Sequence, residues 1–227
     1  MCGLADAVIA VSPEDADALR ALGGHTPIHI VPSGITVTDY TRDSSHIDLG
    51  ARSVVFSGKM DYRPNVDAAL WFGESIYPRI KAQAQSVRWW IVGQQPHPRL
   101  DVLRADPSIT ITGRVDAVQP YLNSATVYAA PLRMGSGTRL KLLEAMASGC
   151  AIVATNIAAS GLLPEVKAAM HIADDENAFA DAVAALLEDS AARARLGTSA
   201  REQVAAFYDW SVLIPHLLAV YKGLGVG

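Results

Sequence analysis

Cysteine is scarce. Cys2 and Cys150 are the only two among 227 residues, too few for a disulfide framework or a zinc site of their own. Six histidines lie scattered at positions 25, 29, 46, 97, 171 and 216. His25 and His29 are four apart, but Pro27 between them breaks the helix that such a ligand pair needs, so no metal is expected. Basic charge is not in excess either: 19 Lys and Arg against 23 Asp and Glu give a net charge of −4. No basic field therefore directs the chain to nucleic acid or to an anionic membrane surface. Apolar runs stay well short of the ~20 residues needed to span a bilayer, and no basic n-region opens the chain as a secretion signal would. A soluble, cytoplasmic chain is expected. P-loop, G-x-S-x-G, C-x-x-C and H-E-x-x-H motifs are all missing.

Hydrophobic residues, by contrast, make up 50% of the chain, enough to bury a core and to exclude disorder. The length allows one ordinary α/β domain and a fragment. Short apolar runs alternate with helical periodicity, which argues a parallel α/β sheet. The first unit is a strand (7–11), a helix opened by Ser12-Pro13-Glu14-Asp15 with Ser12 as N-cap, and a strand (28–31). Residues 36–52 read as a polar linker without periodicity. Then come a strand at 53–57, a loop at 58–64, and a helix from Asn65 to about Gln83. The inward face of that helix is Val66, Ala69, Leu70, Gly73, Ile76 or Tyr77, and Ile80. Strands follow at 87–92, 109–112 and 126–130, then a helix at 138–147, a strand at 150–154 and a short strand at 170–172. Helices at about 176–189, 190–206 and 210–221 end the series. A strand–helix–strand piece cannot bury its own faces, so residues 1–35 are expected to be the tail of another domain.

The stretch Pro131–Gly149 carries the most chemistry. Gly135-Ser136-Gly137 follows an apolar strand and opens a helix, where unpaired N–H groups and the helix dipole hold a phosphate. Arg139 and Lys141 add cations at the end of the helix that the dipole does not favour for them; an anion between them rationalises the placement. Glu144 lies two turns from the loop and can accept two hydroxyl hydrogen bonds from a ribose. A tight connection with a solvated charged face is the plainer alternative. Gly58-Lys59 follows the strand at 53–57, which puts Lys59 at the carboxyl edge of a doubly wound sheet, a surface lysine on a loop being the plainer alternative; Lys59 and Arg63 flank the same loop, so that one of the two can reach a second phosphate oxygen. Gly93 and Gly113-Arg114-Val115 end two further strands at that edge, where backbone approaches a planar ligand or simply turns. Asp15-Ala16-Asp17 reads as helix capping. Cys150, Trp71, Trp89 and Trp90 read as core.

Taken together, Gly135–Gly149, ending in Leu143-Glu144-Ala145-Met146-Ala147-Ser148-Gly149, resembles the donor-site signature of GT-B glycosyltransferases of family 4. Phe56–Ala68 is similar to the opening of the donor domain in a bacterial branch linked to exopolysaccharide synthesis. Val8–Ser12 and Val31–Ile35 resemble the end of the acceptor domain and its exit. The resemblance implies a Rossmann-like parallel sheet flanked by helices, the C-terminal half of a GT-B fold. It divides the chain into an acceptor-domain remnant (1–35), a linker (36–52), a nucleotide-sugar donor domain (53–206) and a crossover helix (207–227). It implies sugar transfer from a UDP- or GDP-linked donor, retaining, without metal or other cofactor. Glu144 would hold the ribose, the backbone of Gly137, Thr138, Arg139 and Leu140 the diphosphate, with Lys59 beside Gly58 and Lys141 as cations. The backbone of Arg114 and Val115 would meet the base. Ser136 stands where the family commonly has a donor-sugar glutamate, which leaves the catalytic residues unassigned. The partners implied are the nucleotide-sugar and the missing acceptor domain, with peripheral membrane association of a full-length enzyme. Self-association of the fragment through its last helix, and nucleotide binding without turnover, are expected. An NAD(P)-dependent oxidoreductase using Gly135-Ser136-Gly137 and a non-catalytic nucleotide-binding module are the rival classes.

Overall fold

The computed structural model describes residues 5–23, 25–40, 46–135 and 140–225. Near the start, β1 (Val8–Ala10), α1 (Pro13–Ala21) and β2 (Ile28–Ile30) form a two-stranded parallel sheet with its helix. Ser12 caps α1 as expected, accepting the Asp15 N–H at 3.0 Å, and Asp17 accepts from Arg20. The unit leaves Ile9, Val11 and Ile30 exposed, in keeping with a sheet too small to cover itself.

A short 3₁₀ turn, Val37–Tyr40, leads into the main sheet. There follow β3 (Ser53–Ser57), α2 (Arg63–Trp71), a π-helical turn (Phe72–Ile76), α3 (Tyr77–Gln83), β4 (Arg88–Val92), a 3₁₀ stretch (Pro98–Ala105) and β5 (Ile109–Ile111). Then come α4 (Gln119–Ser124), β6 (Val127–Ala130), α5 (Leu140–Ala147), β7 (Ile152–Ala154), α6 (Pro164–Lys167) and β8 (His171–Ile172). The series closes with α7 (Glu176–Glu188), α8 (Ser190–Tyr208) and α9 (Trp210–Gly223). The six strands run in the order β5-β4-β3-β6-β7-β8, every pairing parallel. All five residues of β3 and all four of β6 are buried, as a parallel sheet covered on both faces requires.

Two expectations are corrected. The helix after β3 starts at Arg63, two residues earlier than Asn65, because Pro64 fits the first turn, where its missing N–H costs nothing. The choice between Ile76 and Tyr77 also falls away, since both are buried. The π turn adds a residue to the helical repeat, so the inward stripe shifts by one position and takes in both. Tyr77 donates its hydroxyl to the Val87 carbonyl, and its burial pushes its pKa up to about 12. Cys150 and Trp89 are buried and Trp71 nearly so.

Asp209, at the break between α8 and α9, closes the chain back on itself. It caps α9 by accepting from the Ser211 N–H and hydroxyl, and it accepts the Val37 N–H at 2.9 Å. Ile35 pairs alongside, donating to the Tyr208 carbonyl and accepting from the Trp210 N–H. Those hydrogen bonds hold the Asp209 carboxyl below its ordinary pKa. Its contribution is therefore present above the ordinary carboxylate value and is lost as the pH falls through the depressed one. Asp209→Ala is expected to lower stability at pH 7 by about 1–2 kcal/mol, the usual range for a lost cap. Urea titrations at pH 7 and pH 3 check this: the gap between wild type and variant should narrow at the lower pH. Beyond the cap, α9 leaves Ile214, Leu218 and Tyr221 exposed, the apolar face anticipated for the last helix.

Candidate functional site

In the strand order, the chain builds outward from β3 through β4 to β5, then returns to the other side of β3 with β6. The carboxyl edge between β3 and β6 is thus the topological switch point, where open α/β sheets bind ligands. A cavity of about 250 Å³ lies there. The end of β3 and the loop after it supply Ser57, Gly58 and Lys59, the end of β4 and its loop Val92, Gly93 and Gln94, and the loop after β5 Arg114 and Val115; Val118 and, from α5, Lys141 and Glu144 complete it.

Two glycines let these segments meet. A Cβ on Gly93 would sit 1.7 Å from the Gly58 carbonyl oxygen. One on Gly58 would sit 2.7 Å from both Asn65 Nδ2 and Lys141 Nζ. Backbone hydrogen bonds stitch the loops together, Gly58 N–H to the Val92 carbonyl and Met60 N–H to the Gln94 carbonyl. The edge is closed by the Gly93–Gly113 bridge.

The polar groups are fixed by partners far apart in sequence. Lys141 Nζ donates to Asn65 Oδ1 at 2.5 Å and lies 4.7 Å from the centre of the Phe56 ring. Asn65, itself buried, donates to the Lys59 carbonyl at 2.8 Å, so one amide sets both the lysine side chain and the glycine loop. Lys59 pairs with Asp61 at 3.3 Å on the exposed rim. Glu144 is half-buried on α5, and Tyr40 donates its hydroxyl to Glu144 Oε1 at 3.2 Å. Desolvation raises the Glu144 pKa, while the Tyr40 hydrogen bond and the Lys141 charge pull the other way. Beneath it, Tyr128 is fully buried, sharing a 2.9 Å hydrogen bond with Ser57. Arg133 makes a two-pronged pair with Asp67 and lies over Trp71, anchoring the segment that leads towards α5 onto α2.

Of the residues singled out in the sequence, Gly58, Lys59, Arg114, Val115, Lys141 and Glu144 are brought together on this one cavity. Leu140 opens α5 with an exposed side chain and does not line it. Ser136, Gly137, Thr138 and Arg139 lie outside the described residues. Arg63, offered above as a second cation, is instead exposed at the start of α2 and does not line the cavity. Sequence reasoning missed Tyr40 and Asn65. Asn65 had a local signal, since it falls in the first turn of the helix after the glycine loop; Tyr40 had none.

A doubly wound parallel sheet with glycine-edged strands and a helix-borne carboxylate at its switch point defines an α/β fold of the kind that takes its ligands at the carboxyl edge. Residues 51–189 match the family model described as glycosyl transferases group 1. The chain belongs to that family, the GT-B class that the sequence resembles. It is 30% identical over 201 residues to the phosphatidyl-myo-inositol mannosyltransferase of Mycolicibacterium smegmatis, covering 85% of this chain and 51% of the relative. It is 36% identical over 202 residues to that of Mycobacterium leprae, covering 85% and 52%. The chain thus spans about half the length of the curated relatives it matches. Among solved structures, Anabaena HepE in complex with UDP and glucose superposes with a TM-score of 0.78 at 14% identity, covering 96% of this chain and 64% of the other. Among the described residues, no helix is long and apolar enough to cross a membrane.

Proposed function

We propose that this chain binds the nucleoside diphosphate of a sugar donor in the cavity at the β3–β6 switch point. It would thereby serve sugar transfer in polysaccharide or glycoconjugate assembly in the cytoplasm. The observation that carries this reading is the convergence of Glu144 and Lys141 from α5, Lys59 from the loop after β3 and Arg114–Val115 from the loop after β5 on one cavity, three separate segments. Glu144 accepts the ribose hydroxyls, the Arg114–Val115 segment meets the base, and Lys141 faces the diphosphate with the helix-opening loop. Departure of the diphosphate from the anomeric carbon leaves negative charge on its oxygens, which fixed cations stabilise without help from a metal. Transfer with retention completes the proposal. The mannosyltransferase activity of the relatives and the UDP of the Anabaena structure support a nucleotide-sugar. Turnover by this chain alone is expected to be negligible, and robust transfer would refute that part.

A thermal-shift panel of UDP, GDP, ADP, NAD and NADP tests the reading. At 100-fold over its dissociation constant a site-specific ligand adds about 2.7 kcal/mol, or roughly 5–10 °C at this size. One nucleoside diphosphate should give such a rise, and Glu144→Ala should abolish most of it. A rise with NAD or NADP alone would select the oxidoreductase instead.

A further inference from the structure

We propose that Tyr40 is a positioning residue for the ribose-binding carboxylate: carried on the turn Val37–Tyr40, it holds Glu144 in the orientation in which it lines the cavity. The inference rests on the nucleotide-donor reading above and adds to it a residue from outside the sheet that forms the site. The hydroxyl reaches Glu144 Oε1 at 3.2 Å across 104 residues of sequence. The backbone of Tyr40 is held as well. Arg201, from α8, donates to the Tyr40 carbonyl at 2.7 Å and also to the carbonyl of Ala147, the last residue of α5. One guanidinium thus ties Tyr40 to the helix that carries Glu144, and the phenol reaches back along that helix to the carboxylate one turn earlier. At the front of the turn, the Val37 N–H is held by Asp209.

The chemistry fits a fixed donor. Burial first, then the Glu144 charge and hydrogen bond, raise the Tyr40 pKa well above its ordinary value, so the group stays a phenol and can donate a hydrogen bond to the carboxylate. Lys141 on the same helix acts electrostatically on Glu144, and the Glu144 charge in turn acts on Tyr128 of β6; Lys59 and Arg114 share the Glu144 cavity, and Asp39 acts on Tyr40. Without the phenol, Lys141 is what remains, among the described residues, to favour the charged form of Glu144. Its ionisation then moves to higher pH, and its side chain regains rotamer freedom.

Tyr40→Phe keeps the ring and deletes the donor. The measurement is calorimetric affinity, from pH 4.5 to 8, for whichever of UDP, GDP and ADP binds the wild type most tightly, and for its 2′,3′-dideoxy counterpart. A positioning role predicts a loss of about 3- to 10-fold for the ribonucleotide at pH 7.5. It also predicts an acid limb moved to higher pH and dideoxy affinity unchanged within about twofold. In a Glu144→Ala background, which leaves the phenol nothing to hold, the same substitution should add nothing, the mark of coupled groups. Equal losses for both ligands, an unmoved acid limb, or additivity in the double variant would overturn the proposal while leaving the donor site intact. If the wild type binds none of the three diphosphates, the donor-site reading falls and this proposal falls with it.

Discussion

Gly93→Ala is expected to cost the fold about 3–5 kcal/mol, the sum of an impossible contact and a backbone conformation that L-residues avoid. The added methyl would lie 1.7 Å from the Gly58 carbonyl oxygen, at a φ of +156°. Rotating a side chain cannot relieve this, because the obstacle is backbone. The ends of β3 and β4 have to separate, and with them go the Gly58–Val92 and Met60–Gln94 hydrogen bonds that shape the cavity. Against a total stability of about 5–15 kcal/mol this is a large share. The contrast is Gly113, also at the site edge with φ +70°, where a methyl meets nothing within 4 Å. Gly113→Ala should cost only the left-handed backbone, about 1–2 kcal/mol. Denaturant midpoints for the two variants side by side check the difference, and similar losses would mean that the close approach is not a constraint.

Glu144→Gln should separate function from stability. Charge-assisted hydrogen bonds to a carboxylate contribute about 1.5–3 kcal/mol, so affinity for the nucleoside diphosphate should fall about 10- to 150-fold. The fold should not suffer. Burial raises the folded-state pKa of Glu144 above its ordinary value of 4.5, which means that the ionised form is disfavoured in the native state. That penalty is absent below pH 4.5, grows between there and the raised value, and is complete above it. The glutamine variant, still able to accept the Tyr40 hydroxyl, should therefore equal or exceed wild-type stability at pH 7–8 and converge with it near pH 4. A variant less stable than wild type at pH 8 would show instead that the carboxylate's partners outweigh its desolvation.

The outline of the main sheet was legible because buried parallel strands are short, continuous and apolar, as in Val54-Val55-Phe56 and Ile152-Val153-Ala154. Glycines at the strand ends were read as room for a planar ligand or as turns; the structure gives Gly93 a further reason, the close passage of β3 and β4. Helices of four and six residues, α6 and α4, were not legible, since so few positions do not complete a periodic pattern. The ambiguity at Ile76 and Tyr77 was a true signal of the π turn, read as indecision. The site was half-readable. Lys141 and Glu144 stood in a local motif, whereas Tyr40 sits in a stretch that looks like featureless linker. Its role depends on partners at positions 144 and 201, and no local pattern encodes a contact between such distant positions. Arg63, close in sequence to the glycine loop, is exposed in the first turn of α2 and does not line the cavity.

The clasp made by Arg201 and Asp209 has a consequence for the order in which the molecule matures. On a ribosome adding about 5–20 residues per second, Tyr40 is made roughly 10–30 s before the arginine that fastens it, 161 residues downstream. By then all six strands of the main sheet have been synthesised, the last ending at Ile172. A nascent chain halted before Arg201 would hold the whole sheet with Tyr40 still unfastened. The fastening of Tyr40 thus comes after the sheet that carries the pocket.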